Sequence, residues 1–374
     1  MFNTPSFRMG RLFGIPIEVN VTWLAIFVLV AASLSFSYFP SAFPDWALGV
    51  NLTAGVITAL LFFASIVFHE MSHSLVARAG GIKVDRVTLF LFGGVAQMEE
   101  DPSTPGREFL MAIAGPAASI FLAAVFASAA AVMHRAGISD YWWGPAEYLG
   151  IINVAIALFN MLPGFPLDGG RVLRALLWKI KGDKLWATRW ASNSGQVIGY
   201  GLVAFAVFGV LQGALNMLWM GLVGWFIVVL ADTAYRQQLA RSTLNRQNVG
   251  SLASTDVMVV PGDITVERLV FDYFVDGPHT RYPVVVDGAV VGLVTLDAAK
   301  ATPREEWSRI NVEEITAKDL SVLLVDADEH ADKLLDRLGR GTSSALIVKR
   351  DGHLAGIVTR ADIIAYLHRT GVDL

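Results

Sequence analysis

The stretch FASIVFHEMSHSLVARAGG, residues 63–81, joins an apolar run to a cluster of ionisable side chains. His69 and His73 are four residues apart, so on a helix they project from one face, one turn apart. Glu70 follows the first of them directly. Ionisable groups within a membrane-crossing segment are costly and indicate a functional site. The stretch therefore predicts a membrane helix that ends in such a site.

The composition is that of a membrane protein with a soluble part. Of 374 residues, 54% are hydrophobic and 17% are charged, which is too apolar for an ordinary soluble protein. The net charge of -4 lacks the basic excess of a nucleic-acid-binding protein, so nucleic acid is not an expected partner. The chain has no cysteine, which excludes a cysteine nucleophile, a cysteine-ligated zinc and a disulfide.

Six apolar segments are close to the length of about 20 residues that a membrane crossing takes. They cover residues 17–37, 50–70, 109–133, 146–162, 196–212 and 214–234. The first resembles a secretory signal in its basic flank, but it is long and further spans follow, so we interpret it as a transmembrane helix.

Basic residues are distributed unevenly between the two sides of these spans. With the N-terminus inside, the outside loops carry only Arg135, as the positive-inside rule requires, so both termini are predicted to be cytoplasmic. The second span then runs inward. Starting near Leu52, it reaches His69 after about 26 Å of a hydrocarbon core about 30 Å thick.

The sequence HEMSH of residues 69–73 matches the HExxH pattern of zinc hydrolases. In that pattern the two histidines bind one zinc ion, and the glutamate is the general base for a water whose pKa zinc lowers to about 7. We therefore interpret His69 and His73 as metal ligands and Glu70 as the catalytic base. A chance match is the alternative, and the position inside a span disfavours it.

A catalytic zinc site takes three protein ligands, so a third ligand is needed. The other histidines lie outside the predicted spans, which leaves the carboxylates Glu147, Asp168 and Asp232. Glu147 belongs to the external side, and Asp232 with Arg236 four residues later is typical of a helix-end ion pair. Asp168 lies in NMLPGFPLDGGR, residues 160–171, where prolines and glycines should break the backbone on the cytoplasmic side. We predict Asp168 as the third ligand.

Asn160 lies on the last helical turn before these breakers. Its amide can hold a substrate carbonyl or a developing oxyanion, and the alternative is a helix–helix hydrogen bond. Arg171 and Arg174 are interpreted as charges at the membrane border, and Gly169 with Gly170 as a turn.

A small β-sheet is predicted between the second and third spans. Residues 84–91 alternate weakly and are rich in β-formers, and Gly93 with Gly94 offers a hairpin turn into residues 95–98. Dipping into the membrane, such a sheet can offer its edge to an unwound substrate or shield the metal from lipid. The two roles are compatible.

These motifs together resemble the site-2 protease family, the intramembrane zinc metalloproteases, in the branch that lacks a PDZ domain. The resemblance covers about residues 8–235 and is carried by HEMSH, the LFGG of residues 91–94, the AGP of residues 114–116 and NMLPGFPLDGGR. It implies one zinc ion held by His69, His73 and Asp168. It also implies that Glu70 activates water, that Asn160 assists the substrate, and that a peptide bond in a transmembrane segment of a regulatory protein is hydrolysed.

The composition changes after the last span. Residues 236–248 are polar and suit a helical exit or linker, and the remainder has globular patterning. An internal repeat is present there, since Asp287, Gly288, Gly292 and Thr295 recur as Asp351, Gly352, Gly356 and Thr359. Each copy is predicted to form a strand, an Asp-Gly turn, a strand and a helix.

The two copies resemble a pair of cystathionine-β-synthase (CBS) motifs, at residues 249–310 and 311–374. The resemblance implies a cytoplasmic α/β module that often binds adenine nucleotides and dimerises. In that family a Thr/Ser-x-x-Asp sequence contacts the nucleotide; Thr359 and Asp362 match it, whereas Ala298 replaces the aspartate in the first copy. ATP, ADP or AMP is expected there, with helix capping, a dimerisation platform or a substrate dock as alternatives.

The predicted fold is thus a polytopic α-helical membrane protein, with six transmembrane helices and a small membrane-associated sheet in residues 1–235, followed by the CBS-pair domain. The predicted function is intramembrane zinc proteolysis of a regulatory membrane protein in a prokaryotic cell (inner) membrane, modulated by adenine nucleotide. Expected partners are the transmembrane substrate, lipid and a second copy of the chain.

A CBS-regulated transporter or channel with a metal site is the alternative function. It predicts internal symmetry among the spans and polar residues along a pathway, whereas here the polarity converges at one depth. A zinc-binding pseudoprotease is a third reading, and the presence of Glu70 argues against it.

Overall fold

Backbone polar groups inside a membrane must be paired within their own segment, and the apolar segments accordingly form long helices. The computed structural model describes residues 6–90, 93–98, 100–275, 277, 279–340 and 345–372. The chain separates into two units, Met1–Tyr235 and Arg236–Leu374.

The first unit is mainly helical. Its helices are α1 (Thr22–Ser33), α2 (Phe39–Ala42), α3 (Leu48–Ala79), α4 (Pro105–Arg135), α5 (Asp140–Asn160), α6 (Asp168–Lys181), α7 (Lys184–Leu211) and α8 (Leu218–Leu244), the last of which ends in the second unit. A π-helical turn, Leu34–Tyr38, joins α1 to α2. Five helical segments of the described residues are long and apolar enough to cross a membrane: Thr22–Ala42, Leu48–Ala79, Pro105–Arg135, Lys184–Leu211 and Leu215–Leu244.

The fourth predicted span, residues 146–162, falls in α5, which is not among these five. Glu147, Asn153 and Asn160, together with a proline inside the helix, lower the mean hydropathy of α5 below that of the five segments. Length and hydropathy therefore support five of the six predicted crossings.

Two predictions for the helical segments were wrong. Residues 17–20, the beginning of the first predicted span, belong to a strand, Ile15–Asn20, and the helix begins only at Thr22. Gly169 and Gly170 lie in the first turn of α6 and do not form a turn between elements. A Cβ at Gly169 would lie 2.3 Å from the carbonyl oxygen of Met161, so these glycines allow close packing of backbone on backbone.

A four-stranded sheet belongs to the same unit. Its strands are β1 (Ser6–Leu12), β2 (Ile15–Asn20), β3 (Val84–Phe90) and β4 (Gly93–Met98), in the order β1-β2-β3-β4. The sheet predicted in residues 84–98 is confirmed, whereas the strands before Thr22 were missed. Strand β2 pairs in parallel with β3, and the other pairs are antiparallel.

The connection between β3 and β4 differs from the prediction. Phe90 pairs with Gly93 and Leu89 with Gly94, so both glycines lie in strand β4 and do not form the hairpin turn. The connecting residues 91–92, which include half of the LFGG motif, lie outside the described residues.

The sheet packs on the part of α3 that carries the histidines. Ile17 and Val87 lie in one buried apolar cluster with Met71, and Leu89 lies in another with Phe63. Apolar side chains on one face of the sheet and on α3 thus place β3 and β4 beside the HEMSH sequence.

The second unit contains short helices and two three-stranded sheets. Its further elements are α9 (Val249–Leu252), β5 (Val260–Pro261), α10 (Val266–Arg268), β6 (Arg281–Val286), β7 (Ala289–Thr295), α11 (Leu296–Ala301), α12 (Val312–Ile315), α13 (Leu320–Leu323), β8 (Leu324–Asp326), α14 (Lys333–Arg340), β9 (Ala345–Arg350), β10 (His353–Thr359) and α15 (Arg360–Arg369). The strand orders are β5-β6-β7 and β10-β9-β8, and each sheet has one parallel and one antiparallel pair.

The repeated Asp-Gly pairs form the predicted hairpin turns. Asp287 and Gly288 have φ of 50° and 78°, and Asp351 and Gly352 have φ of 54° and 81°. Two positive φ values in a two-residue loop define the type I′ turn, whose twist suits an antiparallel hairpin. The turn prediction is confirmed in both copies.

Each sheet has its own apolar core. One cluster contains Val325, Leu346 and Val348 together with Ala240 and Leu244 from the end of α8. The residues predicted as a linker are therefore helical up to Leu244 and contribute to a core. Val312 of α12 packs in the other cluster, with the first sheet.

Leu244→Ala should destabilise the second unit, because the leucine is fully buried. We expect the free energy of unfolding of the residue 236–374 fragment to fall by about 2–5 kcal/mol, the usual cost of such a cavity. Chemical denaturation followed by circular dichroism measures it. The control is Ile364→Ala, at a side chain that is 41% exposed, and equal losses in both variants would contradict a core role for the end of α8.

Candidate metal centre

Side chains from two helices converge on one point. His69 Nε2 and His73 Nε2, on α3, lie 3.1 and 3.2 Å from Oδ2 of Asp168, the first residue of α6, and 3.2 Å from each other. Tetrahedral zinc with bonds of about 2.0–2.1 Å places its ligand atoms about 3.3 Å apart. The triangle that the three atoms form therefore has the size of a zinc site.

Hydrogen bonds on the far side of each ring orient the two histidines. His73 Nδ1 lies 2.6 Å from the carbonyl oxygen of Met111, and His69 Nδ1 lies 2.9 Å from Ser119 Oγ. A carbonyl only accepts, so His73 carries a proton on Nδ1, and the lone pair of its Nε2 in the neutral ring points at the centre. A nitrogen lone pair and a carboxylate oxygen directed at one point repel each other unless a cation lies between them. The donor set fits zinc.

The centre is nearly closed to solvent. His69 and His73 are each 4% exposed, and Asp168 is half-buried. Electrostatic interactions are stronger in such surroundings than in water. Among the residues that the structure describes, His69, His73 and Asp168 are the one group with three ligand atoms close enough for a metal ion.

Two glycines bring backbone against the centre. A Cβ at Gly115 of α4 would lie 2.2 Å from His73 Nε2 and 2.5 Å from His69 Nε2, and a Cβ at Gly94 of β4 would lie 2.4 Å from Glu70 Cγ. A side chain at either position would displace one of these site residues. The AGP and LFGG motifs contain these glycines, but nothing in the local sequence shows which atoms approach them.

The loop between α5 and α6 delivers Asp168 to the centre. Phe165 donates its backbone N–H to the carbonyl oxygen of Ala191 at 3.0 Å, and a Cβ at Gly195 would lie 1.9 Å from the carbonyl oxygen of Phe165. The broken backbone predicted for residues 160–171 is therefore packed tightly on α7. Such packing is what irregular backbone at membrane depth needs.

The remaining predicted site residues are placed as follows. Glu70 is half-buried and lies against β4, next to the centre but outside the triangle. Asn160 donates its side-chain N–H to the carbonyl oxygen of Ile156, on its own helix, at 3.1 Å. The hydrogen bonds of the described residues do not include the helix–helix bond, and the catalytic role of Asn160 stays a prediction. Glu147 and Asp232, the rejected candidates for third ligand, are not part of the group.

The interpretation of Arg174 as a border charge was wrong. Its guanidinium is buried and forms an ion pair with Glu108 of α4, which is also buried. Sequence reasoning missed Glu108 altogether. A carboxylate close to the predicted third span was the available signal, but its partner is remote in sequence.

In the second unit, Thr359 and Asp362 contact each other. Thr359 donates its backbone N–H and its hydroxyl to Asp362 Oδ2 at 2.8 and 2.7 Å, and Asp362 N–H donates to Thr359 Oγ1 at 3.3 Å. This reciprocal pattern is a capping box at the start of α15. The helix-capping alternative is thus realised, and the nucleotide role stays a prediction.

The chain is similar to several known proteins. The profile of peptidase family M50 matches residues 57–140 and 131–206, and the CBS domain profile matches residues 249–299 and 312–369. The protein sll0528 of Synechocystis sp., which its name assigns to the zinc metalloproteases, is 33% identical over 98% of this chain and 96% of its own. Zinc metalloprotease MJ0392 of Methanocaldococcus jannaschii is 28% identical over 96% and 95%, respectively. Among solved structures, a site-2 protease from Methanocaldococcus jannaschii matches 62% of this chain and 95% of its own, with 28% identity and a TM-score of 0.43.

Gly115→Ala should weaken metal binding, because the added methyl group would occupy the space of the two Nε2 atoms. We expect zinc affinity to fall by about ten- to a hundredfold, as for other changes beside metal ligands. Chelator competition on the purified protein measures it. Gly106→Ala, on the same helix with open space around the added Cβ, is the matched control, and similar affinities for the two variants would contradict the described packing.

Proposed function

Because the chain belongs to peptidase family M50, the family of the site-2 proteases, we propose that this zinc metalloprotease hydrolyses a peptide bond within or next to a transmembrane segment of a regulatory membrane protein. The convergence of His69, His73 and Asp168 beside Glu70 carries the proposal. Relatives named as zinc metalloproteases over nearly the whole chain support the protease over a transporter or channel.

The proposed ligands are His69, His73 and Asp168, and a zinc ion bound there supplies Lewis acidity that makes water a nucleophile near neutral pH. Glu70 accepts the proton of the attacking water and returns it to the leaving amine. Its place against β4 keeps the carboxylate beside the ligands without making it one. Asn160 holds the substrate carbonyl once its amide turns away from Ile156.

Strand β4 is the proposed substrate platform. It is the last strand in the order β1-β2-β3-β4, and its Gly94 touches Glu70. A helical substrate hides its carbonyls in internal hydrogen bonds, whereas an unwound segment can pair with a strand edge. Pairing along β4 would bring an extended segment past the catalytic base.

We further propose six crossings, with α5 as the sixth, and both termini in the cytoplasm of a prokaryotic cell. The polar residues of α5 are compatible with a crossing. Asn153 is fully buried and donates to Ser65 Oγ of α3 at 3.3 Å and to the carbonyl oxygen of Leu149 at 2.8 Å. Polar groups that face neighbouring helices in this way are tolerated in membranes.

For the second unit we propose a CBS pair, divided at residues 249–310 and 311–374, that modulates proteolysis and pairs with a second copy of the chain. One adenine nucleotide is assigned to the second CBS motif, at Thr359 and Asp362. The repeated strand and turn pattern supports the pair. The first CBS motif has Ala298 in place of the aspartate, so a single nucleotide site per chain is proposed.

Glu70→Gln tests the mechanism. The glutamine keeps the size of the side chain but cannot accept the proton, so cleavage of a transmembrane reporter should fall by about 10²–10⁴-fold while one zinc per chain is retained. Asp168→Ala should instead lose zinc, and Glu147→Gln, at an exposed carboxylate of α5, is the control for both. Zinc content and cleavage are measured on the same samples. Undiminished cleavage by Glu70→Gln would eliminate the proposal.

Thr359→Val tests the nucleotide site. The control is Thr295→Val, at the equivalent position of the first CBS motif. Both threonines cap a helix, so each variant should lose about 1 kcal/mol of stability. Only Thr359→Val should lose binding of ATP, ADP or AMP in calorimetric titrations of the residue 236–374 fragment. No binding by the unaltered fragment, or equal loss in both variants, would refute the assignment.

A further inference from the structure

One face of α4 carries the contacts of this helix with the metal centre. Glu108, Met111, Gly115 and Ser119 are spaced by three or four residues, which aligns them along one side of a helix. Met111 and Ser119 orient His73 and His69 by hydrogen bonds, and Gly115 lies against both rings. Helix α4 therefore sets where the two histidines stand.

The first residue of this face, Glu108, contacts the helix that carries the third ligand. Its side chain is 0% exposed and pairs with Arg174 of α6, whose side chain is 7% exposed. Asp168 is the first residue of the same helix. The ion pair thus joins the helix that orients the histidines to the helix that begins with the aspartate.

Arg174 also contacts the loop that leads to Asp168. Its guanidinium carbon lies 5.0 Å from the ring centroid of Phe165, two residues before the helix cap. A guanidinium over an aromatic face is held by a cation–π interaction. One side chain therefore connects Glu108 with both the loop and the helix around Asp168.

The geometry of the pair is poor for stability alone. Arg174 directs Nε and Nη2 at the same oxygen, Oε1 of Glu108, whereas the strongest arginine–carboxylate pairs use both oxygens. Glu108 Oε2 is buried and has no hydrogen-bond partner among the described residues. Burying two charges is costly, and apolar replacement of such a pair is often neutral or stabilising for a fold.

We propose that Glu108 and Arg174 are positioning residues, whose ion pair sets the distance between Asp168 and the two histidines. The inference rests on the proposed zinc role of those three residues. Neither Glu108 nor Arg174 belongs to the group of ligand atoms. They act on the metal centre through the helices that carry it.

The double variant Glu108→Leu with Arg174→Met, in the full-length protein, tests the proposal. Because both charges are removed together, the thermal unfolding temperature should be retained or raised. Zinc affinity, measured by chelator competition, should nevertheless fall by about ten- to a hundredfold. The visible absorption of the Co²⁺-substituted protein should shift, because the ligand geometry is no longer held.

Wild-type affinity together with an unchanged Co²⁺ spectrum in the double variant would overturn the positioning role. Zinc binding is measured without substrate, so this outcome leaves the proposed protease function standing. Absence of zinc binding by the unaltered protein would instead refute the proposed function itself.

Arg174→Lys decides the question if the double variant does not fold. The charge is kept but the planar set of donors is lost, so a positioning role predicts a shifted Co²⁺ spectrum at a nearly unchanged unfolding temperature. An unchanged spectrum overturns it. Asp101→Asn is the control, because it removes an ion pair with Lys184, at 3.2 Å, that does not join α4 to α6.

Discussion

The convergence of three ligand atoms in a nearly dry site is the interaction on which the rest of the first unit depends. His69, His73 and Asp168 bring two imidazole nitrogens and one carboxylate oxygen to within about the spacing of zinc ligands. A cation makes this arrangement favourable, and every neighbouring element must leave room for it. Glycine at position 115 is the direct result, because any side chain there would occupy the space of the imidazole nitrogens.

Several polar side chains at and near the metal centre have hydrogen-bond partners close by. The second nitrogen of each histidine has a hydrogen-bond partner on α4, and Asn153 contacts Ser65 across two helices. The loop before Asp168 is packed on α7 through Ala191 and Gly195. Buried polar groups are expensive mainly when they lack partners, so these contacts are what permits a hydrolytic site inside an apolar helical unit.

The second unit is built from a repeated pattern of strands, turns and helix caps. Its two sheets repeat one pattern of parallel and antiparallel pairing, and each hairpin closes with an Asp-Gly turn at positive φ. Thr295 and Thr359 cap the helices that follow β7 and β10. A nucleotide at the second CBS motif would meet two side chains that already bond each other, so the proposed nucleotide site uses the residues that cap α15.

Local pattern in the sequence was sufficient for several elements. The spacing of His69 and His73 places them on one helical face, the prolines and glycines near Asp168 end α5 beside them, and the Asp-Gly pairs define their turns, because each of these depends on neighbours within a few residues. Tertiary structure alone decided where the first helix begins and which charged side chains are buried. The first helix begins at Thr22 because the preceding residues pair with β3, and Arg174 is buried because Glu108 meets it from another helix. Contacts between segments far apart in the chain leave no trace in local periodicity.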